Sequence, residues 1–320
     1  MEGSMNAADP TLQPKTFGVV GAGPVGSIVA AQLAHGGYKV ILCDIAEHLL
    51  APAKDPGIIL EGAIELQQKI EHVCTDVEQM ADYAPDAVFV TVKANSLPLL
   101  SSSLEIFQDG PTQVISWQNG IDTEKVIAET LGPEKVMRAV VNWGCGLAAP
   151  GRVHVGFHHP PHYIQELDPA SANAVQAIAD ALTASGLETR HTDQIVSMVW
   201  RKSIMNASMN PVCATTGMTM AEAMNDPIVY QTINSLVKES IRVARENEIS
   251  LGWDYYTYCM NYMGNAGHHK PSMLMDIEAK RRTEIDFMNG KIVEYGERCD
   301  IPTPYNATLR ALVKGLESKL

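Results

Sequence analysis

From Thr16 the chain alternates short, continuous apolar runs with longer stretches of helical spacing. "TFGVVG", "YKVILCD", "APDAVFVTVK", "TQVISW" and "KVMRAVVNWG" read as strands buried on both faces. Between the first two lies "PVGSIVAAQLAHGG", a helix closed by glycines. The later strands are each followed by a polar turn and a helical segment. Such alternation predicts a parallel sheet covered on both faces. Two shorter β signals follow, in "RVHVG" and "HYIQEL". A helix near Ser171 to Ser185 then leads into "LETRHTD".

From Thr192 onward the strand signal disappears. "TDQIVSMVWRKSIMNASMN" reads as a helix capped by Thr192, and "DPIVYQTINSLVKESIRVARENE" as a long amphipathic one. "WDYYTYCMNYM" and "PSMLMDIEAKRRTEIDFMNGKIVEYGERC" predict two more helices, and "PYNATLRALVKGLESKL" the last. The expected organisation is a flexible tail over residues 1–15, an α/β domain over 16–191 and an all-helical domain over 192–320, with the boundary near His191.

Composition narrows the class. Of 320 residues, 46% are hydrophobic and 19% charged, so a sizeable packed core is expected and wholesale disorder is not. A net charge of −13 argues against nucleic-acid binding, which needs clustered Lys and Arg. The one dense basic run, Lys280, Arg281 and Arg282, has acids on either side and reads as a solvated helix face. No apolar run reaches the roughly 20 residues of a membrane span, and the start lacks a signal peptide's apolar stretch. Six cysteines, none in a CxxC pair, fit reduced thiols rather than a disulfide framework or zinc site. A cytoplasmic protein is expected, with a homodimer the default assembly.

The candidate chemistry begins at "VVGAGPVG". Gly21, Gly23 and Gly26 form G-x-G-x-x-G between a strand and a helix, the context a dinucleotide loop requires. Pro24 and Val25 complete the loop, and amides at the helix start face an anionic ligand. Asp44 ends the second strand, where a carboxylate accepts hydrogen bonds from an adenosine ribose and repels a 2′-phosphate. No Lys or Arg stands between Asp44 and Lys54, which favours NAD over NADP. Lys93 and Asn119 each follow a strand, so both are expected near a bound nicotinamide. In "WRKSIMNASMNP", Lys202, Asn206 and Asn210 recur every four residues and drift by about 40° per step, one polar stripe on a mostly apolar helix. Ser272 opens the helix that carries Asp276, Lys280 and Glu284 at four-residue spacing. The His158–His159 and His268–His269 pairs read as surface or loop residues rather than metal ligands, and no metal is expected. Trp253, Tyr255, Tyr256, Tyr258 and Tyr262 read as helical core packing.

Taken together, "GAGPVG", "VKANS", "WQNG", "WRKSIMNASMNP", "SMLMDIEAKRRTEIDFMNG" and "IPTPYN" resemble the ketopantoate reductase family over nearly the whole chain from Thr16. The resemblance implies a helical second domain like that of the 6-phosphogluconate dehydrogenase superfamily. It implies Lys202 as general acid and Glu284 as a residue that binds and orients substrate. It places Asn119, Asn206, Asn210 and Ser272 on a small 2-oxo or 2-hydroxy acid, and Lys93 near the cofactor and reacting centre. Members commonly carry a basic residue after the second strand and use NADPH. Here Asp44 stands there, so an NAD-preferring 2-hydroxyacid dehydrogenase is expected. The alternatives are 2-dehydropantoate 2-reductase proper, serving pantothenate synthesis with NADPH, and a non-catalytic dinucleotide-binding sensor.

Overall fold

The computed structural model describes residues 13–320, so most of the tail expected over residues 1–15 lies outside the described residues. The chain divides into two units. The first takes the described residues up to Val92, Ser96–Gln118 and Glu124–Ile195; the second takes Lys93–Asn95, Asn119–Thr123 and Val196–Leu320. Where the sequence suggests one cut near His191, the main cut falls after Ile195, and two short loops join the second unit.

The first unit holds β1 (Thr16–Val20), β2 (Lys39–Cys43), β3 (Ile58–Gly62), β4 (Leu66–Gln68), β5 (His72–Cys74) and β6 (Ala87–Val90). It continues with β7 (Gln113–Ser116), β8 (Val136–Val140), β9 (Trp143–Ala149), β10 (Arg152–His158), β11 (His162–Glu166) and β12 (Thr189–His191). Its helices are α1 (Pro24–His35), α2 (Glu47–Pro52), α3 (Val77–Ala81), α4 (Leu97–Leu104), α5 (Thr123–Leu131) and α6 (Ala172–Ala184).

One sheet runs β12-β11-β8-β7-β6-β1-β2-β5. All neighbours in it are parallel except β11 and β8. Every residue of β6 and β8 is buried, which explains the unbroken apolar sequence of β6 and the near-continuous one of β8, interrupted only by Arg138. The chain leaves β1 for β2 on one side and reaches β6 on the other. The loop after β1 therefore opens at the topological switch point, where α/β sheets bind ligands. Beneath it Phe17 contacts Phe89 at 5.9 Å between ring centroids, and Phe89 contacts Trp117 at 5.2 Å.

A second sheet, β4-β3-β10-β9, takes its β10 from the "RVHVG" signal, but β3, β4 and β9 do not stand out in the sequence pattern as strands of their own. Its β10 buries alternate residues over the first half, as a one-sided strand does. "KVMRAVVNWG" is not one strand: β8 stops at Val140, and Trp143 begins β9 in the other sheet. His158 is no loop residue either. It ends β10, and its Nε2 lies 3.2 Å from Nε2 of the fully buried His162.

The second unit comprises α7 (Ile195–Thr216), α8 (Met220–Asn225), α9 (Pro227–Glu246), α10 (Tyr255–Gly264), α11 (Ser272–Glu278), α12 (Asn289–Arg298) and α13 (Pro304–Glu317). The Thr192 hydroxyl accepts from the Gln194 amide at 3.1 Å, a turn just ahead of α7. Asp226 caps α9 by accepting from the amides of Ile228 and Val229 at 2.9 Å each. The single helix expected from Pro271 to Cys299 breaks into α11, a 3₁₀ turn at Ile285–Phe287, and α12. The cause is local. Lys280 takes a left-handed conformation (φ 53°), and the Arg281 amide closes back on the Asp276 carbonyl at 2.8 Å while Lys280 bonds Ile277 at 3.0 Å. That is a Schellman stop with lysine where glycine usually stands.

The aromatic cluster is only partly core. Tyr255 is buried and its hydroxyl donates to the Arg201 carbonyl, but Trp253 is 95% exposed, and Tyr258 and Tyr262 are also exposed. Among the described residues no helix is long and apolar enough to cross a membrane.

Candidate active site

Three different reasons hold the three glycines of the G-x-G-x-x-G loop. Gly21 has φ +109°, which disfavours any side chain. A Cβ on Gly26 would lie 1.8 Å from the Gly21 carbonyl oxygen, so α1 packs against the turn only without one. A Cβ on Gly23 would meet nothing within 4 Å, so this position faces open space at the start of α1. Pro24 supplies the first residue of α1, and the helix start carries neither a side-chain cap nor an acid in its first turn. Its amides and positive dipole end suit an anion.

The end of β2 anchors this loop twice. The Gly21 amide donates to the Cys43 carbonyl at 2.8 Å, and the Ala22 amide donates to Asp44 Oδ2 at 2.7 Å. Asp44 Oδ1 accepts from the Ala46 amide at 2.9 Å. A carboxylate offers about four acceptor sites, so Asp44 keeps capacity for further donors.

In the second unit Lys202, Asn206 and Asn210 all lie on α7. Lys202 and Asn206 are half-buried, while Asn210 is only 5% exposed. The helix is held from behind by a buried polar chain. Asn289 Nδ2 donates to the Ala207 carbonyl and to Asn306 Oδ1, both at 2.9 Å. Asn306 in turn donates to Glu239 Oε1 at 2.8 Å through both its amide groups.

A second cluster in this unit gathers around Lys93. Its ammonium lies 2.7 Å from Asp276 Oδ2 and 3.7 Å from Glu284 Oε2. Glu284 Oε1 accepts from the Ala94 amide at 2.9 Å, and Asn95 Nδ2 donates to the Thr283 carbonyl at 3.2 Å. Arg281 reaches Asp276 Oδ1 from the other side at 3.1 Å. Both carboxylates are buried, so neither belongs to the solvated helix face that their spacing suggests. Burial opposes the charge on Lys93, but Glu284 and Asp276 outweigh it and hold the lysine above its ordinary range. Asp276 is the residue sequence reading passed over. Its four-residue spacing from Ser272 looked like ordinary helix patterning.

Asn119 is half-buried in a turn whose next residue, Gly120, has φ +109° and packs its backbone against Phe287. The Ile121 amide donates to the Phe287 carbonyl at 2.8 Å. Ser272 is exposed at the first turn of α11. Thus Lys93 and Glu284 are brought together, Lys202, Asn206 and Asn210 share α7, and the glycine loop meets Asp44. His268 and His269 stay in an exposed loop, and among the described residues no group of three or more His, Cys, Asp or Glu is arranged to hold a metal ion.

Comparison with known proteins places this arrangement. Residues 17–169 match the family model described as ketopantoate reductase PanE/ApbA, and residues 194–317 match its C-terminal counterpart. The chain belongs to the ketopantoate reductase family. It is 32% identical to 2-dehydropantoate 2-reductase of Pyrococcus horikoshii, over 94% of this chain and 97% of that protein. It is 29% identical to 2-dehydropantoate 2-reductase of Streptococcus pyogenes serotype M3, over 94% and 98%. Among solved structures, a ternary complex of D-mandelate dehydrogenase with NADH and anilino(oxo)acetate superposes with TM-score 0.86 at 27% identity, covering 95% of this chain and 98% of that one. A ketopantoate reductase from Ralstonia eutropha JMP134 gives TM-score 0.85 at 25% identity, covering 95% and 99%. As a ketopantoate reductase family member, this chain is a nicotinamide-dependent oxidoreductase.

Proposed function

We propose that this chain transfers hydride between a nicotinamide dinucleotide, NAD by preference, and C2 of a small 2-oxo or 2-hydroxy acid, with Lys202 as the proton donor. The observation that carries the reading is the line of Lys202, Asn206 and Asn210 on α7. One cation and two amides in register on a mostly apolar helix suit a substrate with a carbonyl and further polar groups.

The residues present fit the dinucleotide. Gly21, Gly23, Pro24, Val25 and Gly26 would hold the pyrophosphate, Asp44 the adenosine ribose, and Lys93 and Asn119 the nicotinamide end. When bound, the nicotinamide supplies hydride to C2 of the oxo acid or takes it back from the hydroxy acid. Lys202 meets the negative charge that develops on the carbonyl oxygen and then gives up its proton to it. In the oxidative direction neutral Lys202 takes the hydroxyl proton. Asn206 and Asn210 fix substrate oxygens, Asn119 assists, and Ser272 receives the carboxylate. Glu284 orients the substrate, and its bond to the Ala94 amide supports it in that role.

Asp44 supports NAD, because its carboxylate is tied to the Ala22 amide at the glycine loop and would repel a 2′-phosphate. The names of the relatives from P. horikoshii and S. pyogenes favour a second reading, 2-dehydropantoate 2-reductase proper with NADPH. Steady-state rates with ketopantoate and a panel of alkyl and aryl 2-oxo acids, each with NADH and NADPH, separate the two. The first reading expects the highest kcat/KM with NADH on an acid other than ketopantoate. Ketopantoate with NADPH as the best pair would hand the function to the second. Dinucleotide binding without turnover on any acid would leave only a sensor.

A further inference from the structure

Cys43 and Cys74 are register partners on the parallel strands β2 and β5. Register partners point to the same face of a sheet, and neighbouring strands lie about 4.8 Å apart. That spacing is inside the Cα range of roughly 4.4–6.8 Å that a disulfide spans. Both side chains therefore lie side by side on one face of the sheet. Both are free and buried in the reduced protein. Access comes from the strand they share. β5 is three residues long and forms the edge of the sheet, bonded on one side only. Such short edges open locally at little cost.

We propose that Cys43 and Cys74 are a reversible oxidation site that weakens dinucleotide binding when its disulfide forms. The oxidant is hydrogen peroxide. Cys74, as thiolate, attacks one peroxide oxygen; the S–O bond forms, the O–O bond breaks, and the departing hydroxide takes up a proton as water. Cys43 loses its proton and attacks the resulting sulfenic sulfur; the S–S bond forms, and the second oxygen leaves as water. Two thiols are oxidised by two electrons and one peroxide is reduced to two waters. A dithiol reverses the change. The order follows from position: Cys74 lies on the edge strand and Cys43 one strand further in.

The consequence lies one residue away. The Cys43 carbonyl accepts the Gly21 amide, Asp44 accepts the Ala22 amide, and the Asp44 amide donates to the Cys74 carbonyl at 3.2 Å. A disulfide draws its Cβ atoms to about 3.8 Å. The shift at the end of β2 therefore acts on both anchors of the glycine loop. This inference rests on the reading that the glycine loop and Asp44 hold the dinucleotide.

The test uses the full chain, treated with hydrogen peroxide, blocked with N-ethylmaleimide under denaturing conditions and peptide-mapped. NADH affinity is measured in parallel by fluorescence. The expected result is a linked Cys43–Cys74 peptide pair two hydrogens lighter than the sum of its parts. NADH Kd should rise about tenfold, equivalent to about 1.4 kcal/mol, and return with dithiothreitol. Cys74→Ser and Cys43→Ala should each form no such link and keep their NADH affinity under peroxide. Absence of the linked pair in the wild type overturns the proposal, as does an equal loss of affinity in both variants. A linked pair with unchanged NADH affinity overturns it while leaving the dinucleotide reading intact. Reduced protein that binds no NADH overturns both.

Discussion

On the proposed reading Lys202 and Asp44 do separable work, and substitutions at each should be read on different axes. Lys202→Ala should lower kcat by about 10²–10⁴-fold, the usual share of a general acid, with NADH affinity nearly unchanged. Parallel losses of binding and turnover would mark the lysine as structural. Asp44→Ser should narrow the preference for NADH over NADPH, measured as a ratio of kcat/KM values. An unchanged ratio would show that Asp44 does not meet the ribose. Both residues were legible because each lies in a strictly local pattern, at a strand end or along one helix line. Asp276 was not. Its role depends on the Arg281–Asp276 closure after Lys280 and on Lys93, 183 positions away along the chain. No periodicity encodes such a contact.

At the scale of elements, the glycine loop separates fold from binding. Gly26→Ala places a methyl against the Gly21 carbonyl and should destabilise the first unit, seen as a lower melting temperature without ligand. Gly23→Ala meets open space, so the melting temperature should hold while dinucleotide affinity falls. If both variants melt alike, the assignment of distinct roles is wrong. The α11 stop gives a second expectation. A left-handed lysine costs roughly 1–2 kcal/mol, and glycine returns about 0.5–1 kcal/mol of that to the unfolded chain. Lys280→Gly should therefore stabilise by about 0.5–1 kcal/mol in denaturant titration, with activity unchanged. The same stop explains why one helix was expected from Pro271 to Cys299. Without a glycine, the sequence shows no break. The second sheet escaped notice because β9 is rich in glycine and alanine and β4 is only three residues. The central strands β1, β2 and β6 were plain because burial on both faces leaves them almost wholly apolar.

For the whole molecule, the two sheets of the first unit are joined through a histidine pair that makes stability depend on pH. His162 Nδ1 accepts from the Asn142 amide at 3.1 Å, so its Nε2 carries the proton and donates to His158 Nε2. Burial first, and the charge of His159 second, hold His158 below the ordinary value of 6.5. The folded protein thus prefers neutral His158, and the unfolded chain takes up the proton first as pH falls. This contribution is complete above about pH 6.5 and is lost as pH drops through the lower folded value. Urea midpoints should decline on moving from about pH 7.5 to about pH 5.5, and His158→Gln should shallow that decline. An equal slope in the variant would assign the effect to other groups.

Lys93 sits far upstream in the chain, yet the carboxylates that enclose it come from Asp276 and Glu284. A chimera that joins another protein's first half to this chain's helices keeps the two anions but takes its residue 93 from elsewhere. Such hybrids should work only when the donor of residues near 93 brings a lysine in the same loop conformation. Exchanging the helical unit of this chain therefore means moving Lys93–Asn95 along with it.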